Sequence, residues 1–262
     1  RDNKVLAMTN FFQDLMVFQE EKGIEGGCIT LIQGYDTKSI EKSVISNSLG
    51  IINSKAYVVV DGVPTPKNPK ASNAKMVFFI SRLGVYMTDG QTVVRISDPM
   101  GLYFDTNDAT NCIRKGYEDK HWLKYDSLHK CIRIGLCTGT SATVVNTVLV
   151  YDILTDAWGT DTLGQVITCM AEIEAASGNL PTLQYGGSSD GFVYRLNTGL
   201  NDIGASTVAV PAFVVVELDG GGNKLDVRTL QVRCKAQAVG NITPSIAFNG
   251  NTSYTDETVR SM

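Results

Sequence analysis

Residues 76–97 read MVFFISRLGVYMTDGQTVVRIS, two β-branched and aromatic runs flanking Asp89-Gly90. That dipeptide is the one a two-residue type I′ hairpin turn prefers. The unit recurs: Lys4–Phe12 with Asp14–Glu20, HWLKYDSLHKCIRIGLC about 126–130, TVVNTVLVYDILTDAWGTDTL about Thr155-Asp156, and TLQYGGSSDGFVYRL about 188–191. Cys28–Gln33 and Ala56–Val60 add single strands. A chain interrupted this often by turn chemistry cannot sustain the 3.6-residue period that helical layers need. Helical spacing is weak and confined to 167–176 and 99–104, so the expectation is an all-β protein.

The hairpins share a local signature. Val85-Tyr86, Val150-Tyr151 and Val193-Tyr194 each put Tyr after Val near a polar or glycine-containing turn, and Val17-Phe18 is a degraded copy. The aromatic positions 18, 86, 151 and 194 are spaced by about 68, 65 and 43 residues, against the roughly 40–50 of a four-stranded propeller blade. Loop insertions at 61–75 and 99–120 lengthen the larger intervals. This spacing predicts β-propeller-like blades over residues 1–206. A β-sandwich is the alternative, since Val-Tyr pairs suit any pleated surface. The blade residues singled out are Val85, Tyr86, Asp89, Gly90, Val150, Tyr151, Trp158, Asp190, Gly191, Val193 and Tyr194.

Beyond Thr207 the texture changes. LQVRCKAQA alternates, with Leu230, Val232, Cys234, Ala236 and Ala238 on one face, and NITPSIAFNG continues the pattern with Ile242, Ile246 and Phe248. A half-buried antiparallel sheet reads this way, predicting a small sandwich-like β domain over 207–262.

Catalytic and metal patterns do not hold together. Gly187-Ser188-Ser189-Asp190-Gly191 fits G-x-S-x-G, but a strand follows it where an elbow needs a helix, and both histidines, His121 and His129, lie upstream. It reads as a hairpin connection with Gly191 free to take positive φ. Cys112, His121, His129, Cys131 and Cys137 lack zinc-ligand spacing, and the Asp105–Thr110 run lacks the glycine and the fifth-position oxygen of a calcium loop. No P-loop, HExxH or dinucleotide fingerprint occurs, and no carboxylate pair stands out. No cofactor or metal is expected. Asn241 and Asn251 open glycosylation sequons that read as chance matches without a secretory signal.

Net charge is −4, from 23 basic and 27 acidic residues, which gives no broad basic surface for gripping DNA. The six cysteines are scattered through a chain too large to need staples and read as free thiols of a reducing compartment. No apolar run approaches the roughly 20 residues of a membrane-spanning helix. The opening Arg-Asp-Asn-Lys suggests part of a longer polypeptide, with blades truncated at the N-terminus. The segment DGVPTPKNPKASNAK, with Pro64, Pro66, Lys67, Pro69 and Lys70, is stiff and cannot build a core, so it is a candidate subunit-contact loop.

In order, FFISRLGVYMTDGQTVVRISDPMGLYF, WLKYDSLHKCIRIGLC, NTVLVYDILTDAWGTDTL and YGGSSDGFVYRLNTGLND resemble blade motifs of β-propeller proteins in bacteriophage tails, including hub and nozzle proteins of short-tailed phages. The resemblance runs over about residues 3 to 250. It departs from the pattern in the long Pro- and Lys-rich loop and in having too little chain for six blades. It implies a virion structural protein, not an enzyme, assembled in the host bacterial cytoplasm with other tail proteins. It further implies a ring-shaped homo-oligomer through which DNA passes without being held. A carbohydrate- or receptor-binding propeller of the tail is the alternative.

Overall fold

The strand-turn-strand units fold into antiparallel meanders in which each strand pairs with its neighbours in the chain. The computed structural model describes residues 4–21, 26–34, 39–62, 75–161, 163, 165–173, 182–196, 245–246 and 255–256. The chain divides into two units, Arg1–Pro211 and Ala212–Met262. The first holds four sheets. Sheet 1 is β1 (Val5–Phe11), β2 (Asp14–Gln19), β3 (Ile29–Gln33) and β4 (Glu41–Ser46), in that order. Sheet 2 is β5 (Tyr57–Asp61), β6 (Lys75–Ser81), β7 (Gly84–Thr88) and β8 (Val93–Arg95). Sheet 3 is β9 (Trp122–Asp126), β10 (Cys131–Leu136), β11 (Thr147–Asp152) and β12 (Ala157–Asp161). Sheet 4 is β13 (Ile167–Ile173), β14 (Leu183–Ser188) and β15 (Val193–Arg195). In the second unit β16 (Ser245–Ile246) pairs with β17 (Thr255–Asp256). The all-β expectation is therefore met, and no helix among the described residues is long and apolar enough to cross a membrane.

Successive sheets pack face to face. Phe11, Met16, Phe18, Ile29 and Leu31 of sheet 1 meet Val77, Phe79 and Tyr86 of sheet 2. Phe78, Ile80, Val85 and Met87 on the other face of sheet 2 meet Ile132, Ile134, Leu149 and Tyr151 of sheet 3. Trp122 and Val148, on the far face of sheet 3, meet Ile167 and Met170 of sheet 4. Alternation along each strand makes this possible, because neighbouring residues point to opposite faces and both faces of sheets 2 and 3 are apolar. The first strands β5, β9 and β13 lie beside one another. The Leu123 N–H at the start of β9 donates to the Lys55 carbonyl just before β5 (3.0 Å), and the Trp122 indole donates to the carbonyl of Ile167 at the start of β13 (2.9 Å).

Three sequence expectations are corrected. Residues 167–173 form strand β13, not a helix: Ile167 and Met170 supply its buried face, and Cys169, Ala171 and Ile173 point away from sheet 3. Asp89-Gly90 is not a two-residue type I′ turn. Only Gly90 has positive φ (87°), and the Asp89 carboxylate accepts the Gln91 and Thr92 N–H groups (2.9 and 2.8 Å), which spreads the turn over four residues. Val17-Phe18 is not a copy of the Val-Tyr pairs, since it lies on the second strand of its sheet with Phe18 turned toward the following sheet. Strand β4, polar and mostly exposed, carries too little apolar pattern to be predicted. The 3₁₀ segment Asp98–Phe104 does fall where helical spacing was weakly legible.

Gly191 has φ +88° with nothing within 4 Å of where a Cβ would sit, whereas a Cβ on Gly90 would lie 2.5 Å from the Phe11 ring. Gly191→Ala is expected to cost about 1 kcal/mol from the backbone alone, and Gly90→Ala distinctly more. Ser189→Ala should leave the unfolding midpoint unchanged. Urea denaturation of the three variants checks the ranking.

Candidate functional site

Strands of this length hold their hairpins only if the turns are fixed, and one device recurs. An aspartate closing a strand or opening the turn accepts backbone N–H groups two or three residues on. Asp89 serves Gln91 and Thr92, Asp126 serves His129 (2.9 Å), Asp152 serves Leu154 and Thr155 (2.8 and 3.1 Å), and Asp190 serves Phe192 (2.9 Å). This is the Asx-turn chemistry of aspartate. Two tyrosines of the Val-Tyr pairs tie into the same turns. The Tyr151 hydroxyl donates to Asp156 (2.8 Å) and the Tyr194 hydroxyl to Asp190 (2.5 Å). Burial, then the Asp156 bond, pushes the Tyr151 phenol up; Asp190 is held below the usual carboxylate range by the Tyr194 bond.

Val85-Tyr86, Val150-Tyr151 and Val193-Tyr194 all lie on the third strand of their sheets, β7, β11 and β15. In each pair the tyrosine faces the preceding sheet: Tyr86 packs toward sheet 1, Tyr151 toward sheet 2 and Tyr194 toward sheet 3. Trp158, paired across strands with Tyr151 and 4.9 Å from its ring, donates its indole N–H to the Ile96 carbonyl of the preceding sheet's last strand segment (3.0 Å). The loop residues Pro64, Pro66, Lys67, Pro69 and Lys70, Cys234, both sequons and the alternating segment 230–238 lie outside the described residues.

The side-by-side first strands form a cleft of about 370 Å³ lined by Val58 and Val59 of β5, Lys124 and Tyr125 of β9, and Met170, Ala171 and Glu172 of β13. Its lining carries one cation, Lys124, and one carboxylate, Glu172. Glu172 is engaged, accepting the Ser127 N–H (2.6 Å) and the Gln184 amide (3.3 Å). The Tyr125 hydroxyl is buried without a hydrogen-bond partner, and burial, with Glu172 nearby, pushes its phenol up to about 12. It stays protonated at neutral pH. None of the residues lining this cleft is histidine, cysteine or serine.

The strongest electrostatic cluster lies beside this cleft, inside sheet 3. Asp126 is fully buried and accepts the Arg133 Nε–H (3.2 Å) and the His129 ring (2.8 Å), while a second Arg133 nitrogen reaches Asp161. Burial alone would raise the Asp126 carboxyl, but the bonds from His129 and Gln184 outweigh it and hold it low. Burial would lower the Arg133 guanidinium, but Asp161 and Asp126 keep it charged. Three strands of the sheet, β9, β10 and β12, are pinned through one guanidinium.

The five residues weighed for zinc are dispersed. His121 is buried with Nδ1 accepting the Cys137 N–H (3.1 Å), while Cys137 donates its thiol to the Ala142 carbonyl (3.2 Å). His129 is bound to Asp126, and burial with Asp126 beside it pushes the Cys131 thiol up to about 12. Among the described residues no three His, Cys, Asp or Glu side chains converge on a metal position. The Asp105 and Asp108 carboxylates are turned inward onto their own turn, accepting from Asn107, Thr110 and Asn111.

His121 has a measurable consequence. Burial lowers its pKa to about 4, and Glu118 and Asp119 only partly offset this. The unfolded chain therefore takes up the proton first as pH falls from about 6.5, and stability drops progressively until pH passes about 4. The full window is worth on the order of 3 kcal/mol. His121→Gln, which can still accept the Cys137 N–H, should flatten the stability curve between pH 6.5 and 4 in urea titrations.

Ser189 sits in the turn between β14 and β15, where Gly191 N–H donates to the Ser188 carbonyl (3.2 Å) and Ser188 N–H to that of Phe192 (2.9 Å). Strand β15 follows, and both histidines belong to the sheet 3 clusters just described.

No family profile matches the chain, and no curated protein does. The functional reading therefore rests on the geometry and on the motif resemblance. Several residues that organise it escaped the sequence reading. Asn53, in the linker between sheets 1 and 2, donates to the carbonyls of His121 (2.9 Å) and Glu118, clasping the entry to β9. Glu21, just past β2 of sheet 1, accepts the Arg82 N–H (3.2 Å) of the β6–β7 turn in sheet 2. Neither position carries a local pattern. Three of the aspartate caps were visible as Thr88-Asp89, Tyr125-Asp126 and Tyr151-Asp152 at the ends of strand-like runs, and the fourth as Ser189-Asp190.

Proposed function

We propose that the four sheets are blades of a propeller-type array, and that the chain is a structural protein of a bacteriophage tail, a hub, nozzle or adaptor component. In this reading it assembles in the host cytoplasm with other tail proteins into a homo-oligomeric ring through which DNA passes. One observation carries the reading. Four meanders follow one another in sequence, stack face to face in that order, and bring their first strands β5, β9 and β13 side by side. A blade array has this construction. The Asp-capped hairpins and the Val-Tyr pairs quoted for the resemblance are the parts that build it, and its role is mechanical rather than catalytic.

A conduit must let a polyanion slide, because every phosphate neutralised by Lys or Arg adds salt-dependent affinity that would brake passage. The expected result is ring-shaped particles in negative-stain images of the purified protein, together with duplex DNA binding on the order of 100 μM or weaker at physiological salt. Submicromolar binding with a steep salt slope in a filter assay would replace the conduit with an anchoring role. The second reading, carbohydrate or receptor binding, is favoured by the exposed aromatics Phe12 and Phe192 at hairpin tips. Glycan-array binding lost in Phe12→Ala and Phe192→Ala would move the assignment there.

A further inference from the structure

Among the described residues, no sheet packs on the outer face of sheet 1 or of sheet 4, the two faces left at the ends of the series of junctions. Directly opposed residues of an antiparallel sheet share a face. In sheet 1, the rows Met8–Val17–Thr30–Val44 and Asn10–Leu15–Ile32–Lys42 therefore point away from sheet 2. Met8 is 59% exposed and Val44 52%. In sheet 4, the rows Cys169–Gly187–Val193, Ala171–Tyr185–Arg195 and Ile173–Leu183 point away from sheet 3. Ile173 is 53% exposed and Val193 71%.

The Val-Tyr pairs show that the sheet 4 face is built as a junction. The tyrosine looks back to the preceding sheet and the valine looks forward. Val85 of sheet 2 is fully buried against sheet 3, while Val193, on the corresponding third strand of sheet 4, is exposed and has no sheet in front of it among the described residues. Sheet 1 supplies the opposite half: its outer face stands where every later sheet receives its predecessor. Exposed apolar side chains gathered on one face of a sheet mark a candidate interaction surface.

We propose that the outer face of sheet 1 in one copy of the chain docks on the outer face of sheet 4 in the next, continuing across the subunit boundary the sheet-on-sheet junction made three times within each copy. The contact is heterologous, head to tail, and such contacts close into rings when the rotation per subunit permits. The inference rests on the ring reading above and names the surface that makes the ring.

The test uses two variants of the full chain at exposed positions, Met8→Glu with Val44→Glu, and Ile173→Glu with Val193→Glu, with particle mass measured by native mass spectrometry and mass photometry. Each variant alone should lose assembly, shifting its dissociation concentration upward at least tenfold. Mixed together they should form a one-to-one dimer and nothing larger, because each retains the face that the other has lost. That recovery also shows that both variants are folded. Wild-type assemblies that survive both pairs of substitutions would overturn the contact while leaving the ring. Loss of assembly in one variant alone, or no dimer on mixing, would overturn the head-to-tail arrangement. A wild-type chain monomeric at all accessible concentrations would overturn the contact and the ring reading together.

Discussion

Trp122→Ala is expected to destabilise the first unit by about 3–5 kcal/mol, among the largest effects available to a single substitution in this chain. The indole is fully buried on the first strand of sheet 3, packed with Val145, Val148, Ile167 and Met170. Its N–H donates to the Ile167 carbonyl, so truncation removes the main apolar volume and a hydrogen bond at the junction of sheets 3 and 4 together. The residue opposite it on β10 is Gly135, where a Cβ would lie 2.2 Å from the ring. The glycine is there because the tryptophan is. Gly135→Ala should therefore cost more than 2 kcal/mol in the wild-type background, where the packed ring cannot retreat, and little in the Trp122→Ala background. A double-mutant cycle in urea reads the coupling directly. Additive effects would mean that the ring and the glycine are independent, and that the junction of sheets 3 and 4 is held by something else.

This pair shows where sequence reasoning reaches and where it stops. That residues 122–136 form a hairpin was legible, because Trp-Leu-Lys-Tyr-Asp and Cys-Ile-Arg-Ile-Gly-Leu carry β-propensity and flank a turn. The partner of Trp122 was not legible, since a glycine in a strand signals a close approach without saying of what. Strand β13 failed for a related reason. Its sequence, Ile-Thr-Cys-Met-Ala-Glu-Ile, has a bulge between Ile167 and Cys169 that shifts the alternation partway along, and the resulting apolar spacing imitates a helical face. The cleft between β5, β9 and β13 was invisible because it joins residues more than a hundred positions apart through strand edges, and hydrophobic periodicity reports faces rather than edges.

Asp126 carries the second large prediction, and it separates burial from charge. Asp126→Ala leaves the buried Arg133 guanidinium with Asp161 as its remaining carboxylate and strips the β9–β10 turn of its cap at His129, so a loss of about 3–5 kcal/mol is expected. Asp126→Asn keeps an oxygen for the His129 N–H and should cost less. The two also differ in their dependence on pH. The folded Asp126 carboxyl titrates below its unfolded value of about 3.9, so its contribution is complete above that value and is lost as pH falls through the folded pKa. The folded His121 likewise titrates below its reference, low for a histidine, and loses its contribution higher, between about 6.5 and about 4. Wild-type stability should therefore fall in two stages on acidification. Asp126→Asn should abolish the stage below pH 4 and leave the upper one, and His121→Gln should do the reverse. Urea midpoints measured from pH 7 to pH 2.5 resolve both stages. An Asp126→Asn curve parallel to wild type below pH 4 would mean that other carboxylates carry the acid sensitivity and that the three-strand pin through Arg133 is not what holds sheet 3 together.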